Sequence, residues 1–541
     1  MVHLPDGTTF FLLGVGLHVV VLRKGEWDLA VFRLLTTAAA APLALALYQM
    51  GLPGTSFLSA LWTSSYLVGS SMLGIFLSMI VYRIGFHRLK RFPGPFLARA
   101  SNFYITAVVC KRHQEFVELD KLHKSYGDVV RIGASTLSIA DPQALQAVHL
   151  GTKCVKGPWY QALTPDTSIQ TDRDVDRHAS RRKVWDRGFS TKALRNYEPR
   201  VSHYTDKLIA HIDAHQKQPL NASLWFNFYS FDVMGDLSLG DSFEMLDRGE
   251  VHYAMKTLHG FMFMLGIFGH VMWAFRIIGS FPFVSAENAR FKAWVAQQVK
   301  KRIENPPDIP DVFSWIIDDF DSKPQRTKQE RLDLNADGLT ITIAGSDTTA
   351  AALSCLFMEL ATHPEVTQAL QEELDDFFQE NPEPDANSLS RLKYLQACID
   401  EALRIFPVVP SGPQRITPPE GLKISEDLFV PGGTIVQVPT YTIHRDERNF
   451  ERPDEFIPER WTTRPELIKN ASVYSPFSIG PYNCVGKALA LMEIRGVTSR
   501  ILHRFDVKLA PGQTREAFVN GLVDGFTLAC PKLDLVFAPR E

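Results

Sequence analysis

The sequence predicts a mainly α-helical protein with small β-sheets, preceded by membrane-spanning helices. Three observations carry that prediction. From about residue 96 onward, amphipathic helical patterns dominate, separated by short strand-like pieces. The stretch before residue 90 is instead dominated by apolar runs. A lone cysteine, Cys484, stands in a Gly-, Pro- and Asn-containing stretch, FSIGPYNCVG, directly ahead of the helical run KALALMEIR.

The apolar region divides into three segments. Residues 10–22 are apolar but short for a full span, and residues 29–50 are alanine-rich, interrupted by Arg33 and Pro42. Residues 57–82 are long enough to cross a hydrocarbon core with some tilt. Arg23, Lys24 and Arg33 fall around the first connection; Arg83, His87, Arg88, Lys90 and Arg91 follow the last segment; residues 49–56 carry no basic residue. The positive-inside rule puts the first loop and the long C-terminal part in the cytosol and the N-terminus outside. Three spans fit this pattern, and one span with two embedded hairpin segments is the alternative. No charged region precedes Phe10, which argues against a cleaved signal peptide. The chain therefore divides into a membrane region, 1–90, and a cytosolic domain, 91–541. Between them RFPGP (91–95) is a stiff, non-helical joint.

Within the domain, residues 115–126 read as a helix, and VVRIGASTLSI (129–139) as two short strands about a turn. Residues 392–406 read as a helix ended by Pro407, and FVPGGTIVQV (429–438) as a hairpin. With 57 basic against 60 acidic residues, the charge balance implies no nucleic-acid partner. Six scattered cysteines without a Cys-x-x-Cys pair suggest neither a zinc site nor a disulfide framework. No GxGxxG or Walker loop stands where it could bind a nucleotide. The sequons at Asn221 and Asn470 have no use on a cytosolic body.

An isolated cysteine is usually a buried structural residue. Here the setting is that of a thiolate bound to iron in a flat macrocycle: glycines at 480 and 486 to admit close backbone approach, and amide groups to moderate the sulfur charge. The spacing of Phe477, Gly480, Cys484 and Gly486 resembles the haem-binding loop of the cytochrome P450 family. Glu401 and Arg404 share one face of a helix. In the apolar context LQACIDEALRIFP they read as buried and in need of a third partner, for which Arg460 in PDEFIPERW is the candidate. This resembles the family's ExxR network, a structural support beneath the haem loop. AGSDTT (344–349) places Gly, Asp and two Thr inside an apolar helix, where threonine can simply bond back to its own carbonyls. By resemblance it is the oxygen-activation segment, a local helix opening in which Thr348 orients a hydrogen bond to bound dioxygen and Asp347 feeds protons. Where the family commonly has Trp-x-x-x-Arg, this chain has His178-x-x-x-Arg182, and both can donate to a carboxylate; by resemblance these and Arg415 are the haem-propionate donors. Tyr482 departs from the pattern, because family members mostly carry arginine or histidine two residues before the cysteine.

The resemblance covers roughly residues 90–541 and looks most like fungal microsomal members of secondary metabolism. It implies the cytochrome P450 fold, haem b, and insertion of one oxygen atom from O2 into a hydrophobic small molecule. It also implies electrons from NADPH through a separate NADPH-cytochrome P450 reductase, at the endoplasmic reticulum membrane. Lys487 and Arg495 are candidates for a reductase-docking face. The substrate pocket would draw on residues 159–170, 261–275, 341–344, 408–412 and 523–526. A haem protein turned to isomerisation, dehydration or peroxide-driven oxidation would have no use for Asp347 and Thr348, and a non-catalytic scaffold would show damage at Cys484, Glu401 or Arg404. All five are intact.

Overall fold

The computed structural model describes residues 6–51 and 55–540, so part of the connection at 49–56 lies outside the described residues. Three helices open the chain, Gly7–Leu17, Val31–Met50 and Phe57–Val81, the first and third continuing as wider turns to Leu22 and Phe86. By length and composition Asp28–Met50 and Phe57–Phe86 suffice to cross a membrane, while Gly7–Leu22 is a shorter apolar helix. The first and third helices run parallel in close contact. Gly7 meets Tyr66, Gly14 meets Ser71, and the His18 ring bonds Ser78 Oγ at 2.8 Å. A Cβ on Gly14 would stand 2.0 Å from the Ser71 carbonyl oxygen, so only glycine permits this approach.

Parallel packing brings the first loop to the same end as the RFPGP joint, and the loop touches the body there. Glu26 accepts two hydrogen bonds from the Arg173 guanidinium at 2.7 and 2.8 Å and one from Gln161 at 3.0 Å. Asp28 accepts the Trp273 N–H at 3.1 Å. The joint itself is packed rather than free: Leu89 and Phe92 are buried, and the Pro93 carbonyl accepts the Arg131 N–H at 2.7 Å.

The body is built on the 35-residue helix Lys328–Thr362, opened by a Thr327–Glu330 capping box. Its sequence is long and apolar enough for a membrane span, yet 72% of that apolar window is buried in protein. A helix apolar on all sides needs partners on all sides. Ala222–Leu239 supplies one, so close that a Cβ on Gly345 would meet Met234 at 2.5 Å. Glu115–Tyr126 and Lys393–Ile405 are helical, and the latter stops ahead of Pro407.

Val129–Arg131 and Thr136–Ile139 pair antiparallel and begin a five-stranded sheet. The expected hairpin at 429–438 is corrected. Phe429–Val430 pairs with Leu422–Lys423, whereas Ile435–Gln437 lies between Thr136–Ile139 and Arg415–Ile416. Pro431, Gly432 and Gly433 form a corner between two sheets: Gly433 has φ +65°, and a Cβ on Gly432 would stand 2.0 Å from the Pro419 carbonyl oxygen. Alternation marks a strand but not its partner. The edge strand Val155–Lys156 pairs with Arg415–Ile416, setting Lys156 opposite Arg415.

Candidate active site

A cavity of about 350 Å³ lies between the central helix and the cysteine loop, with Cys484 and Thr348 both on its wall. The loop is held by its own backbone. The Cys484 N–H donates to Phe477 O at 2.9 Å and the Asn483 N–H to Gly480 O at 3.1 Å. The role expected for Gly480 changes: it has φ +73°, and a Cβ there would stand 2.1 Å from the His149 carbonyl oxygen. Gly480 therefore seats the loop on residues 149–150 and is absent from the cavity wall, which Phe477 and Gly486 do line. Cys484 precedes the helix Lys487–Arg504, whose first amides face the sulfur. Burial pushes the thiol up, while the Gly486 and Lys487 amides and the Arg182 charge pull it down; the first effect prevails in the protein alone.

On the opposite wall stand Ala344, Gly345, Thr348 and Thr349. The expected helix opening is absent: Lys328–Thr362 is continuous, and Thr348 Oγ1 donates back to the Ala344 carbonyl at 2.6 Å. Asp347 points to the neighbouring helix Tyr253–Phe268, where its Oδ1 bonds His259 Nε2 at 3.0 Å. Burial works against the charged His259 imidazole, but the Asp347 carboxylate outweighs it and raises the pKa. The His259 side chain is 41% exposed, so the pair reaches solvent.

Positive side chains gather at one rim of the cavity. Arg182 donates to the Asn483 carbonyl at 2.7 Å and to Asp186 at 2.8 Å. The Arg415 guanidinium stands 5.0 Å from the centre of the Tyr482 ring, and His178 meets the same ring edge-on at 4.7 Å. Burial and the nearby Lys156 and arginines depress His178 to about 3, so it is neutral. Lys156, which sequence reasoning missed, is buried at this rim. A lysine ahead of Gly-Pro carries no distinguishing signal; only its register opposite Arg415 reveals it.

Below the loop, Glu401, Arg404 and Arg460 are fully buried and joined. Glu401 accepts from Arg404 at 2.8 and 2.9 Å, Arg460 at 2.8 Å, the Ile457 amide at 3.0 Å and the Trp461 indole at 2.9 Å. Burial works to raise this carboxyl, and the two arginines hold it below the ordinary range. Arg404 also donates to His444 O at 2.9 Å, and the His444 ring bonds Val473 O at 3.1 Å. The network thus reaches the chain just ahead of Phe477.

Glu493, also missed, is buried on the cavity wall with Oε2 unpartnered among the described residues, and burial pushes its pKa well above the usual range. The only sequence signal was a carboxylate within the apolar run KALALMEIR. Because the folded state keeps this proton after the unfolded chain has lost it, stability falls as pH rises above the ordinary carboxyl range. Glu493→Gln should therefore match the wild type in Tm at about pH 5 and exceed it at about pH 8. Thermal unfolding at both values checks this.

Most of the remaining wall is apolar, from Trp159, Phe261, Leu265, Ile341, Val408 and Phe526, and all five expected segments contribute. Arg495 does not offer a free docking charge: it is partly buried and bonds Gln396 at 2.9 Å, while Lys487 is exposed.

A cysteine loop and a threonine-bearing helix facing each other across one cavity, on a helical body with small sheets, are the arrangement of a haem-thiolate oxygenase. The chain belongs to the cytochrome P450 family, whose model matches residues 95–537, and it is a monooxygenase. It is 50% identical over 535 residues to "Cytochrome P450 monooxygenase FCK2" of Fusarium pseudograminearum, covering 98% of this chain and 97% of that one. It is 34% identical to "Tryprostatin B 6-hydroxylase" of Aspergillus fumigatus, covering 98% and 96%. The crystal structure of the cytochrome P450DA heme domain shares the fold, with TM-score 0.70 at 18% identity, covering 83% of this chain and 98% of that one.

The family's cofactor is haem, and its electrons come from a redox partner. The residues present suit that cofactor. Among the described residues, the Tyr482 hydroxyl, Arg415 Nε and both His149 ring nitrogens are buried at the cavity without partners. Anionic oxygens brought in at the cationic rim would satisfy the donors among them, the Tyr482 hydroxyl, Arg415 Nε–H and the one protonated His149 nitrogen.

Proposed function

We propose that this protein hydroxylates or otherwise oxygenates a hydrophobic secondary metabolite at the endoplasmic reticulum membrane. Electrons come from NADPH through a separate cytochrome P450 reductase that docks near exposed Lys487. The relatives named for secondary-metabolite oxidation support the substrate class, and the largely apolar wall accords with it. The observation that carries the reading is the placement of Cys484 and Thr348 across one cavity.

Cys484 would hold the haem iron through its thiolate sulfur. Arg182 and Arg415 would bind the propionates, and His178 would add a neutral N–H donor. Haem b, when bound, supplies dioxygen activation and one-electron redox chemistry, with thiolate donation favouring O–O cleavage. Thr348 gives up its bond to the Ala344 carbonyl to hold a proton donor toward the cavity. Asp347 relays protons from His259, which meets solvent. The apolar wall excludes bulk water and orients the substrate.

Microsomes holding the protein and an added reductase should show a thiolate-type Soret band in the reduced carbon-monoxide difference spectrum and consume NADPH. Absence of that band in wild-type protein overturns the reading. Thr348→Ala should retain haem yet divert most NADPH to hydrogen peroxide, measured as the ratio of peroxide to NADPH; unchanged coupling removes the role given to Thr348. Asp347→Asn should keep the band while slowing turnover by about a hundredfold.

A further inference from the structure

We infer that Lys156 supplies the propionate-binding charge that the cysteine loop lacks at Tyr482. This rests on the haem reading above. Lys156 is 3% exposed, and its ammonium donates to one acceptor, the Ile169 carbonyl at 2.8 Å. It stands 4.9 Å from the centre of the Tyr482 ring, 5.6 Å from that of Tyr160, and on the strand register opposite Arg415. Among the described residues the Lys156 ammonium and the Arg415 guanidinium bond only carbonyl and hydroxyl oxygens. The carboxylate that acts on Lys156, Asp172, is already paired with Arg177 and Arg181. Two buried basic groups side by side without a counter-charge of their own are strongly unfavourable when both are charged. The cavity wall runs from both of them to Cys484, so the counter-charge belongs in the cavity.

Tyr482 explains why the charge sits on the strand. Its ring lies between Lys156, Arg415 and His178, and its buried hydroxyl has no partner among the described residues. An aromatic face accommodates two cations that an arginine at 482 would repel. The hydroxyl adds a neutral donor beside them. Burial and the Arg415 charge lower the Lys156 pKa to about 6 in the protein alone, as expected of an ammonium held without its anion.

The test uses the full-length detergent-solubilised holoprotein and follows haem transfer to excess apomyoglobin. Lys156→Met should release haem about tenfold faster or more, and Lys156→Arg should behave as wild type. Tyr482→Arg should gain nothing while Lys156 is present, and should restore retention in the Lys156→Met background. Equal haem loss from Lys156→Met and wild type overturns the inference. So does failure of Tyr482→Arg to rescue. The haem-free Lys156→Met protein should unfold at the wild-type temperature or above it, since one uncompensated buried charge is gone; a large drop there makes Lys156 a packing residue and also overturns it. A wild-type protein without the thiolate-type band is a failure of the haem reading itself, seen before any variant is compared.

Discussion

Cys484→Ser is expected to abolish the thiolate-type band and all NADPH-dependent oxygenation. A serine hydroxyl in place of the thiol does not ionise at neutral pH and gives the iron no electron-rich sulfur. The loop should survive, because its fold rests on the Cys484 N–H and on Gly480 against the His149 carbonyl, neither of which involves sulfur. Haem content and the reduced carbon-monoxide spectrum check the first expectation, and far-UV circular dichroism the second. A variant that keeps the thiolate-type band removes Cys484 from the iron.

Glu401→Ala should be nearly as damaging, for a different reason. It leaves Arg404 and Arg460 buried without their carboxylate, and breaking one side of such a network costs about 3–5 kcal/mol. Against a total stability of about 5–15 kcal/mol, that is a large fraction. Loss of folded, haem-containing protein is expected, with a markedly lower Tm in whatever remains. Removing Glu118 from its exposed pair with Lys121 provides the contrast, since such pairs contribute about 0–1 kcal/mol. Equal effects at the two sites would mean that the buried network is not a support.

Much of this was legible in the chain because strong local chemistry marked it. The glycines around Cys484, the charged pair inside LQACIDEALRIFP and the polar break AGSDTT are each anomalous in their surroundings. What stayed hidden depends on tertiary contacts. Lys156 becomes notable only through its register with Arg415, and Gly480 only through the His149 carbonyl it faces. The direction of Asp347 toward His259 is set by the packing of two helices far apart in sequence. The 429–438 segment shows the same limit, since its alternation identified strands but its glycine corner sent them to different sheets.

The Arg173 guanidinium grips Glu26 with two of its nitrogens and the Lys156 carbonyl, 2.9 Å away, with the third. One planar group therefore couples the first interhelical loop to the strand at the edge of the cavity. A shift of that loop would reach the rim of the cavity directly, through three hydrogen bonds on one side chain.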